Sequence, residues 1–232
     1  MKEVIDYKKY CVIIPAYNPG KNILRVINAI RAVDRYIQII VIDDGSTDGA
    51  ISSIEAEQSM FIDTHPMNKG KGAAIKSGVR CARQKGFQYG LFLDADMQHD
   101  PALIHEFIEC REMNRTDMVL GVRSFYKTGM PFHRILSNSI TSFLISIRVG
   151  KRIHDSQCGY RLVDLTIPAF DQCRYQGFQF ESEFLVKSIY TGSAYYELAV
   201  PTIYHRSSFS SISNICDTFG FIRMFLTSYG WF

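Results

Sequence analysis

Two carboxylates one residue apart, Asp94 and Asp96, follow the short apolar run Tyr89 to Leu93 and stand just before Gln98. In an extended chain side chains alternate with period two, so Asp94 and Asp96 face the same way. Like charges placed so closely repel each other unless a cation or a bound polyol lies between them. With the amide oxygen of Gln98 they make a hard-oxygen donor set, better suited to Mg²⁺ or Mn²⁺ than to zinc. An isolated D-x-D is more often a polar strand end, because carboxylates are common in turns. The weight of the pair therefore depends on what the rest of the chain brings beside it.

The elements around it repeat one pattern. Cys11 to Ile14 reads as a strand stopped by Pro15, and Ala16-Tyr17-Asn18-Pro19-Gly20 is turn chemistry. Ile23, Leu24, Ile27, Ile30 and Val33 then fall at helical spacing. Gln38 to Ile42 is a second strand ending in acid, at Asp43 and Asp44, with Ser46 or Thr47 expected to cap a helix near Ala50. Met60 to Asp63 suggests a third strand, and Asn68-Lys69-Gly70-Lys71-Gly72 leads into an Ala-rich helix over 73–83. The strand over 88–93 is followed by a helix from Pro101 to Met113 and a strand from Asp117 to Leu120.

Such alternation predicts βαβ units: an α/β fold with a mostly parallel, mixed sheet covered by helices on both faces. Three strands then deliver polar residues at their carboxyl ends, where open α/β sheets bind ligands. Beyond residue 121 the alternation breaks. A loop leads to a helix with His133, Arg134, Arg148, Lys151 and Arg152 near its ends, then to the polar segment Asp155 to Arg161. An amphipathic helix over Gln179 to Tyr190, a strand over Tyr195 to Ala199, a Ser-rich loop after Tyr204-His205-Arg206 and a last helix from Asn214 complete the chain.

With 232 residues and 47% apolar composition, one domain with one substantial core is expected. The net charge of +3, from 26 Lys and Arg against 23 Asp and Glu, is too mild to indicate nucleic acid as a partner. The six cysteines are scattered without a C-x-x-C pair, as in a reduced, cytoplasmic setting. No long apolar region precedes Pro15 and no run of eighteen apolar residues occurs, so neither a secretory signal nor a spanning helix is expected.

Taken together, Val12-Ile13-Ile14-Pro15-Ala16-Tyr17-Asn18, Val41-Ile42-Asp43-Asp44-Gly45-Ser46-Thr47-Asp48-Gly49, Asn68-Lys69-Gly70-Lys71-Gly72 and Asp94-Ala95-Asp96-Met97-Gln98 resemble family 2 glycosyltransferases in order and spacing. Gly121-Val122-Arg123, Asp155-Ser156-Gln157-Cys158-Gly159-Tyr160-Arg161 and Asp217-Thr218-Phe219 are similar to the polyprenyl-phosphate and dolichyl-phosphate sugar synthases. The resemblance implies a single domain over 1–232 with a GT-A-type fold, its half over 1–120 binding a nucleotide sugar and its half over 121–232 binding the acceptor. It implies inversion at the sugar carbon, a Mg²⁺ or Mn²⁺ cofactor, and a UDP-sugar as donor.

Carried onto this chain, the resemblance puts Pro15, Ala16, Tyr17, Asp43, Asp44, Lys69, Asp94 and Ala95 on the nucleotide sugar. It puts Asp96 and Gln98 on the metal, and Arg123 and Arg206 on phosphates. The family often has Glu after the Asn of the first loop and a Lys beyond the late Arg, where this chain has Pro19 and serines. The Gln-x-x-Arg-Trp signature of processive synthases is absent.

The chemistry follows from charge. Breaking a sugar–phosphate bond leaves negative charge on the departing diphosphate, which a metal at Asp96 and the cations Arg123 and Arg206 would stabilise. A lipid-phosphate acceptor is largely ionised near neutral pH, its second pKa being about 6, and needs no strong base. A sugar-hydroxyl acceptor would need one, and Asp155 is then the candidate, although an aspartate there could equally cap a turn. Arg134 and Ser137, one helical turn apart, could grip an acceptor phosphate together with Arg161, or simply be solvated.

Ile135, Leu136, Ile140, Phe143, Leu144 and Ile147 lie at helical spacing, and Phe219, Phe221, Ile222, Phe225 and Leu226 form a second such stretch. Spacing alone favours core packing for both stretches. The family resemblance favours a membrane interface instead, peripheral to the inner face, with Tyr229 and Trp231 at headgroup level.

Two rival readings are weaker. Gly70-Lys71-Gly72 lacks the third glycine of a dinucleotide fingerprint, Ile75 standing in its place, and it follows two strand–helix units instead of opening the first. A non-catalytic binding module would keep the fold, but it would be free to lose the acidic strand ends that this chain retains.

Overall fold

The sheet is built where β-branched residues are densest. In the structure, a computed structural model that describes residues 5–54, 59–124, 132–201 and 214–232, β1 (Tyr10–Ala16) and β2 (Gln38–Asp43) lie side by side and parallel. The chain continues through α1 (Asn22–Val33, between β1 and β2), β3 (Met60–Thr64), α2 (Lys71–Gln84), β4 (Tyr89–Phe92), α3 (Ile104–Asn114) and β5 (Met118–Arg123). It ends with α4 (Phe132–Val149), β6 (Arg161–Asp164), α5 (Ala169–Gln172), α6 (Gln179–Tyr190), β7 (Tyr195–Val200) and α7 (Asn214–Ser228).

Seven strands form one sheet in the order β3-β2-β1-β4-β6-β5-β7. All neighbours are parallel except β6, which runs antiparallel between β4 and β5. Alternate residues of each strand feed opposite layers. Val12, Ile14, Ile39, Val41 and Leu91 pack with α1 and α3 through Ile27, Ile30, Phe107 and Ile108. Cys11, Ile13, Ile40, Ile42 and Phe92 pack with α2 and α6 through Ile75, Val79, Phe180 and Phe184. Burial on both faces explains why these strands read as unbroken apolar runs.

Register sets the active edge. Ala16 pairs with Asp43 and Ile13 with Phe92, so β1, β2 and β4 finish at one side of the sheet. Pro15 lies beyond the last pair between β1 and β4, where its missing N–H costs no ladder bond to β4. The backbone N–H of Leu93 donates to the Ile13 carbonyl at 3.1 Å, which carries the chain past β4 and fixes the approach to Asp94.

Three expectations are corrected. Strand β6 is not visible in the pattern, because four residues beginning with a buried arginine give too little periodicity. The helix expected near Ala50 is a single 3₁₀ turn, Ile51–Ser53. Ser46 and Thr47 do not cap it: the Asn18 N–H donates to Ser46 Oγ at 2.9 Å and the Thr47 N–H donates to Asn18 Oδ1 at 2.8 Å, stitching the loop after β2 to the loop after β1.

The third correction concerns the apolar faces of α4 and α7. Ile145 and Met224 are buried as core residues, but Leu136, Ile140, Phe143 and Ile147 of α4 and Phe219, Ile222 and Leu226 of α7 are exposed. Phe143 and Phe219 reach 64% and 69% exposure. The Arg148 side chain joins the two helices by donating to Ser228 Oγ at 3.1 Å and to the Ser228 carbonyl at 2.6 Å. Among the described residues no helix is long and apolar enough to cross a membrane.

Candidate active site

Asp94 and Asp96 leave β4 with opposite electrostatic fates. Lys71, the first residue of α2, brings Nζ within 2.8 Å of Asp94 Oδ1 and 3.0 Å of Oδ2. The same ammonium lies 3.3 Å from Glu181 Oε2 in the first turn of α6. Burial works against the Asp94 charge, but the attraction of Lys71 outweighs it and holds the carboxyl below its usual range. Burial likewise works against the Lys71 ammonium, and Asp94 and Glu181 reverse that and raise its pKa. For Asp96, burial and then repulsion from Asp94 push the pKa up to about 6, against a backbone hydrogen bond from the Gln98 N–H at 3.0 Å. Asp94 is compensated by the protein, and Asp96 is not.

A cavity opens beside Asp94. Pro15, Lys71, Gly159, Arg161 and Glu181 line it with Asp94, and Phe92, Phe180 and Phe184 supply apolar wall. Gly159 comes so close that a Cβ there would stand 2.4 Å from Asp94 Oδ2 and 3.0 Å from its Cγ. A cation with octahedral preference can take one or two carboxylates and draw its remaining ligands from substrate phosphates and water. The under-compensated Asp96 and the Gln98 amide suit that donor set. Among the described residues no group of three His, Cys, Asp or Glu side chains forms an all-protein cage.

The Arg123–Asp155 pair is tightly made. Arg123 Nε donates to Asp155 Oδ2 at 2.7 Å, Nη2 donates to Oδ1 at 2.9 Å, and the Arg123 backbone N–H reaches Oδ2 at 3.2 Å. The Gln157 N–H adds a contact to Oδ1 at 3.1 Å. Asp155 is 1% exposed, and although burial alone would raise its pKa, the Arg123 hydrogen bonds bring it below the usual carboxylate range. Burial alone would lower the Arg123 pKa, and Asp155 raises it. A carboxylate so occupied is a poor proton acceptor, and this geometry corrects the expectation that Asp155 acts as a base.

Two more expected contacts are corrected. Asp44 is buried, and its carboxylate accepts from the Lys69 N–H at 2.9 Å, the Gly70 N–H at 2.8 Å and His65 Nδ1 at 2.7 Å, so it anchors protein backbone instead of facing a nucleotide. Arg161 lines the cavity, but its Nε donates to the Cys158 carbonyl at 2.7 Å and its Nη2 to the Ser156 carbonyl at 2.6 Å. It ties down the turn over 156–158, in place of the expected grip on an acceptor.

The remaining expected residues are spread along the same edge. Ala16 and Ala95 are buried, Tyr17 and Lys69 are exposed, and Asp43 is buried with its Oδ1 accepting from the Ser46 N–H at 2.8 Å. Arg134 is partly buried and Ser137 exposed near the start of α4; neither lines the cavity beside Asp94. Arg206 lies outside the described residues.

Pattern reasoning missed Lys71, Glu181 and His99. His99 is buried against the Tyr160 ring, at 5.3 Å between centroids, and its Nδ1 has no hydrogen-bond partner among the described residues. Burial lowers its pKa to about 4 in spite of Asp94, so the imidazole is neutral near pH 7. The position of Lys71 between Gly70 and Gly72 at a helix start is a usable signal; nothing in the sequence pairs it with Glu181.

Comparison with known proteins agrees with this geometry. Residues 11–167 match the model of glycosyl transferase family 2. The UDP-N-acetylglucosamine–dolichyl-phosphate N-acetylglucosaminyltransferase of Methanococcus voltae is 28% identical over 242 residues, covering 94% of this chain and 96% of its own. The polyprenol monophosphomannose synthase of Mycolicibacterium smegmatis is 25% identical over 207 residues, covering 82% and 75%. In fold, the chain is similar to glucosyl-3-phosphoglycerate synthase from Mycobacterium tuberculosis, solved with Mn²⁺, uridine diphosphate and phosphoglyceric acid, at a TM-score of 0.72 and 18% identity over 95% of this chain and 78% of that one. With a mixed GT-A-type sheet and a family match over more than half its length, the chain belongs to glycosyl transferase family 2 and is a glycosyltransferase.

Proposed function

We propose that the protein transfers a hexose from a UDP-sugar to a polyprenyl phosphate at a membrane surface, with inversion at the anomeric carbon. The observation that carries the choice of acceptor is the state of Asp155, whose oxygens are taken up by Arg123 and Gln157. A hydroxyl acceptor needs a base in that region, whereas a phosphate arrives already ionised. The names of the relatives from Methanococcus voltae and Mycolicibacterium smegmatis support a lipid-phosphate acceptor.

In this reading a phosphate oxygen of the acceptor attacks the anomeric carbon, the bond from that carbon to the diphosphate breaks, and UDP departs with the electron pair. Asp96 and Gln98 would hold Mg²⁺ or Mn²⁺, which when bound supplies Lewis-acid stabilisation of the diphosphate charge. Asp94, kept ionised by Lys71, lies in the cavity wall where it can orient donor hydroxyls. Arg123 and Arg206 would add charge-assisted hydrogen bonds to phosphates. Residues 1–120 bind the donor and 121–232 the acceptor, with Arg134 and Ser137 near the lipid phosphate. The protein works on the cytoplasmic face of the membrane.

The test is transfer of radiolabel from UDP-glucose and UDP-N-acetylglucosamine to a short polyprenyl phosphate. Label that enters the organic phase only with Mg²⁺ or Mn²⁺ is the expected result. Label appearing in a water-soluble glycan would favour a hydroxyl acceptor, and UDP-sugar binding with no turnover on either acceptor would favour a binding module.

Two structural predictions accompany this reading. In Gly159→Ala the added methyl meets the mobile end of Asp94, so the fold survives while the Asp94–Lys71 pair shifts. Transfer is expected to fall by about 100-fold, as misplacement of a reacting group by an ångström can do, with little change in melting temperature. The exposed apolar residues of α4 and α7 are the expected membrane contact. Phe143→Asp with Phe219→Asp is expected to weaken flotation with anionic vesicles by about 100-fold, since each buried aromatic contributes roughly 1.5–3 kcal/mol. Undiminished flotation would place the contact elsewhere.

A further inference from the structure

A chain of hydrogen bonds runs from Ser77 through His65 and Asp44 to the Lys69 and Gly70 N–H groups, one residue short of Lys71. His65, just past β3, is buried; its Nδ1 lies 2.7 Å from Asp44 Oδ1 and its Nε2 lies 2.9 Å from Ser77 Oγ in α2. Against a carboxylate the neutral ring donates from Nδ1, which leaves Nε2 to accept the Ser77 hydroxyl. The His65 backbone N–H donates to the Asp43 carbonyl at 2.8 Å, so ring and backbone are both tied to the acidic end of β2. Asp44 in turn receives the N–H groups of Lys69 and Gly70.

Gly70 is the hinge between this network and the helix. Its φ is +98°, and a Cβ there would stand 2.6 Å from the Gln176 carbonyl oxygen, so no other residue fits without moving backbone. Its carbonyl accepts from Ala73 at 2.9 Å and Ala74 at 3.1 Å, which starts α2. No side chain caps that start. The Asp44 contacts to the two preceding N–H groups therefore fix where α2 begins, and Lys71 is its first residue.

The order Ser77, His65, Asp44 is that of a nucleophile, a base and an orienting acid. Helix α2 commits the backbone N–H groups around Ser77 to its own turns, so no donor pair remains to hold an oxyanion beside that hydroxyl. The network has a different output. A lysine has many rotamers, and its ammonium meets Asp94 and Glu181 only if the backbone beneath it is held.

We propose that His65 is a positioning residue for sugar transfer: by locking Asp44 onto the Lys69 and Gly70 N–H groups it sets the first turn of α2, and so places Lys71 on Asp94. This role deepens the transferase reading given above and depends on it. His65 touches no substrate; it acts through Lys71.

A double-mutant cycle with Lys71→Met tests it. His65→Leu is expected to lower kcat by about tenfold or more while UDP affinity stays within about twofold. His65→Asn, whose amide can still donate where Nδ1 does, restores most of that loss. In the Lys71→Met background, His65→Leu costs no more than about twofold further, because the residue it serves is gone. A loss of kcat as large in that background as in the wild type, or an equal loss in His65→Asn, would overturn the role. If His65→Leu does not fold, His65→Gln, whose amide can keep an acceptor toward Ser77 while it drops the link to Asp44, takes its place. Hydrogen exchange read without any donor separates this role from the reaction assignment. The Lys69 and Gly70 amides lose protection in the His65 variant and keep it in Lys71→Met; unchanged protection in the His65 variant would overturn the role even if transfer proved to use a different acceptor.

Discussion

Asp96→Asn is expected to lower sugar transfer on the order of 10²–10³-fold, the scale of removing one principal electrostatic contact to a developing charge, and at the same time to stabilise the metal-free protein near pH 7.5. The second effect follows from sign. The Asp96 carboxyl has an ordinary value of 3.8 and a folded value of about 6, raised by burial and by Asp94. Between those values the folded state holds a proton that the unfolded state has released, so stability falls as pH rises through this window. The loss is complete above the folded value and amounts to at most on the order of 3 kcal/mol.

An amide at this position does not ionise and escapes that loss. Melting curves in divalent-free buffer are expected to show the variant above the wild type at pH 7.5 and level with it at pH 4. Saturating Mn²⁺ with UDP is expected to stabilise the wild type and close the gap. Equal melting temperatures at every pH would mean that burial and the Asp94 charge do not raise the Asp96 carboxyl in the folded chain.

Arg123→Met is expected to be the most damaging single change to the fold itself. It leaves the Asp155 carboxylate, 1% exposed, without its bidentate partner. Breaking a buried pair by removing one member costs about 3–5 kcal/mol, which in a chain of 232 residues is a fall of roughly 10 °C in melting temperature. Adding Asp155→Leu to Arg123→Met is expected to recover a large part of it, since the stranded charge is then removed. Were Asp155 a general base instead, Asp155→Leu alone would remove activity with a changed pH profile and little effect on stability. Urea titration of the single and double variants distinguishes the two outcomes.

Much of this site was legible before the structure. The runs Val12-Ile13-Ile14 and Ile39-Ile40-Val41-Ile42 are strands because β-branched residues fill both faces of a covered sheet, and the polar residues after them mark the ligand edge. The motif resemblance identified the family from four short stretches in order. What could not be read depends on three-dimensional pairing. Lys71 and Glu181 are far apart in the chain, and only the packing of α2 beside α6 makes them neighbours of Asp94.

Charge partners were invisible for the same reason. Asp44 and Asp155 both stand in polar segments, and residue order alone does not reveal that backbone N–H groups or Arg123 engage their carboxylates. Helical spacing in α4 and α7 marks an apolar face but does not say what covers it. In the structure Ile145 and Met224 turn inward while Phe143 and Phe219 face out, so each helix carries both a core face and an open one.

Mn²⁺ binding followed by its EPR signal, with and without UDP, in the wild type and in Asp96→Ala, tests most directly whether the acidic end of β4 seats a divalent cation under the donor diphosphate. The wild type is expected to sequester Mn²⁺ weakly alone and tightly with UDP, and Asp96→Ala to leave it free in both cases. Mn²⁺ and UDP held as tightly by Asp96→Ala as by the wild type would contradict the assignment.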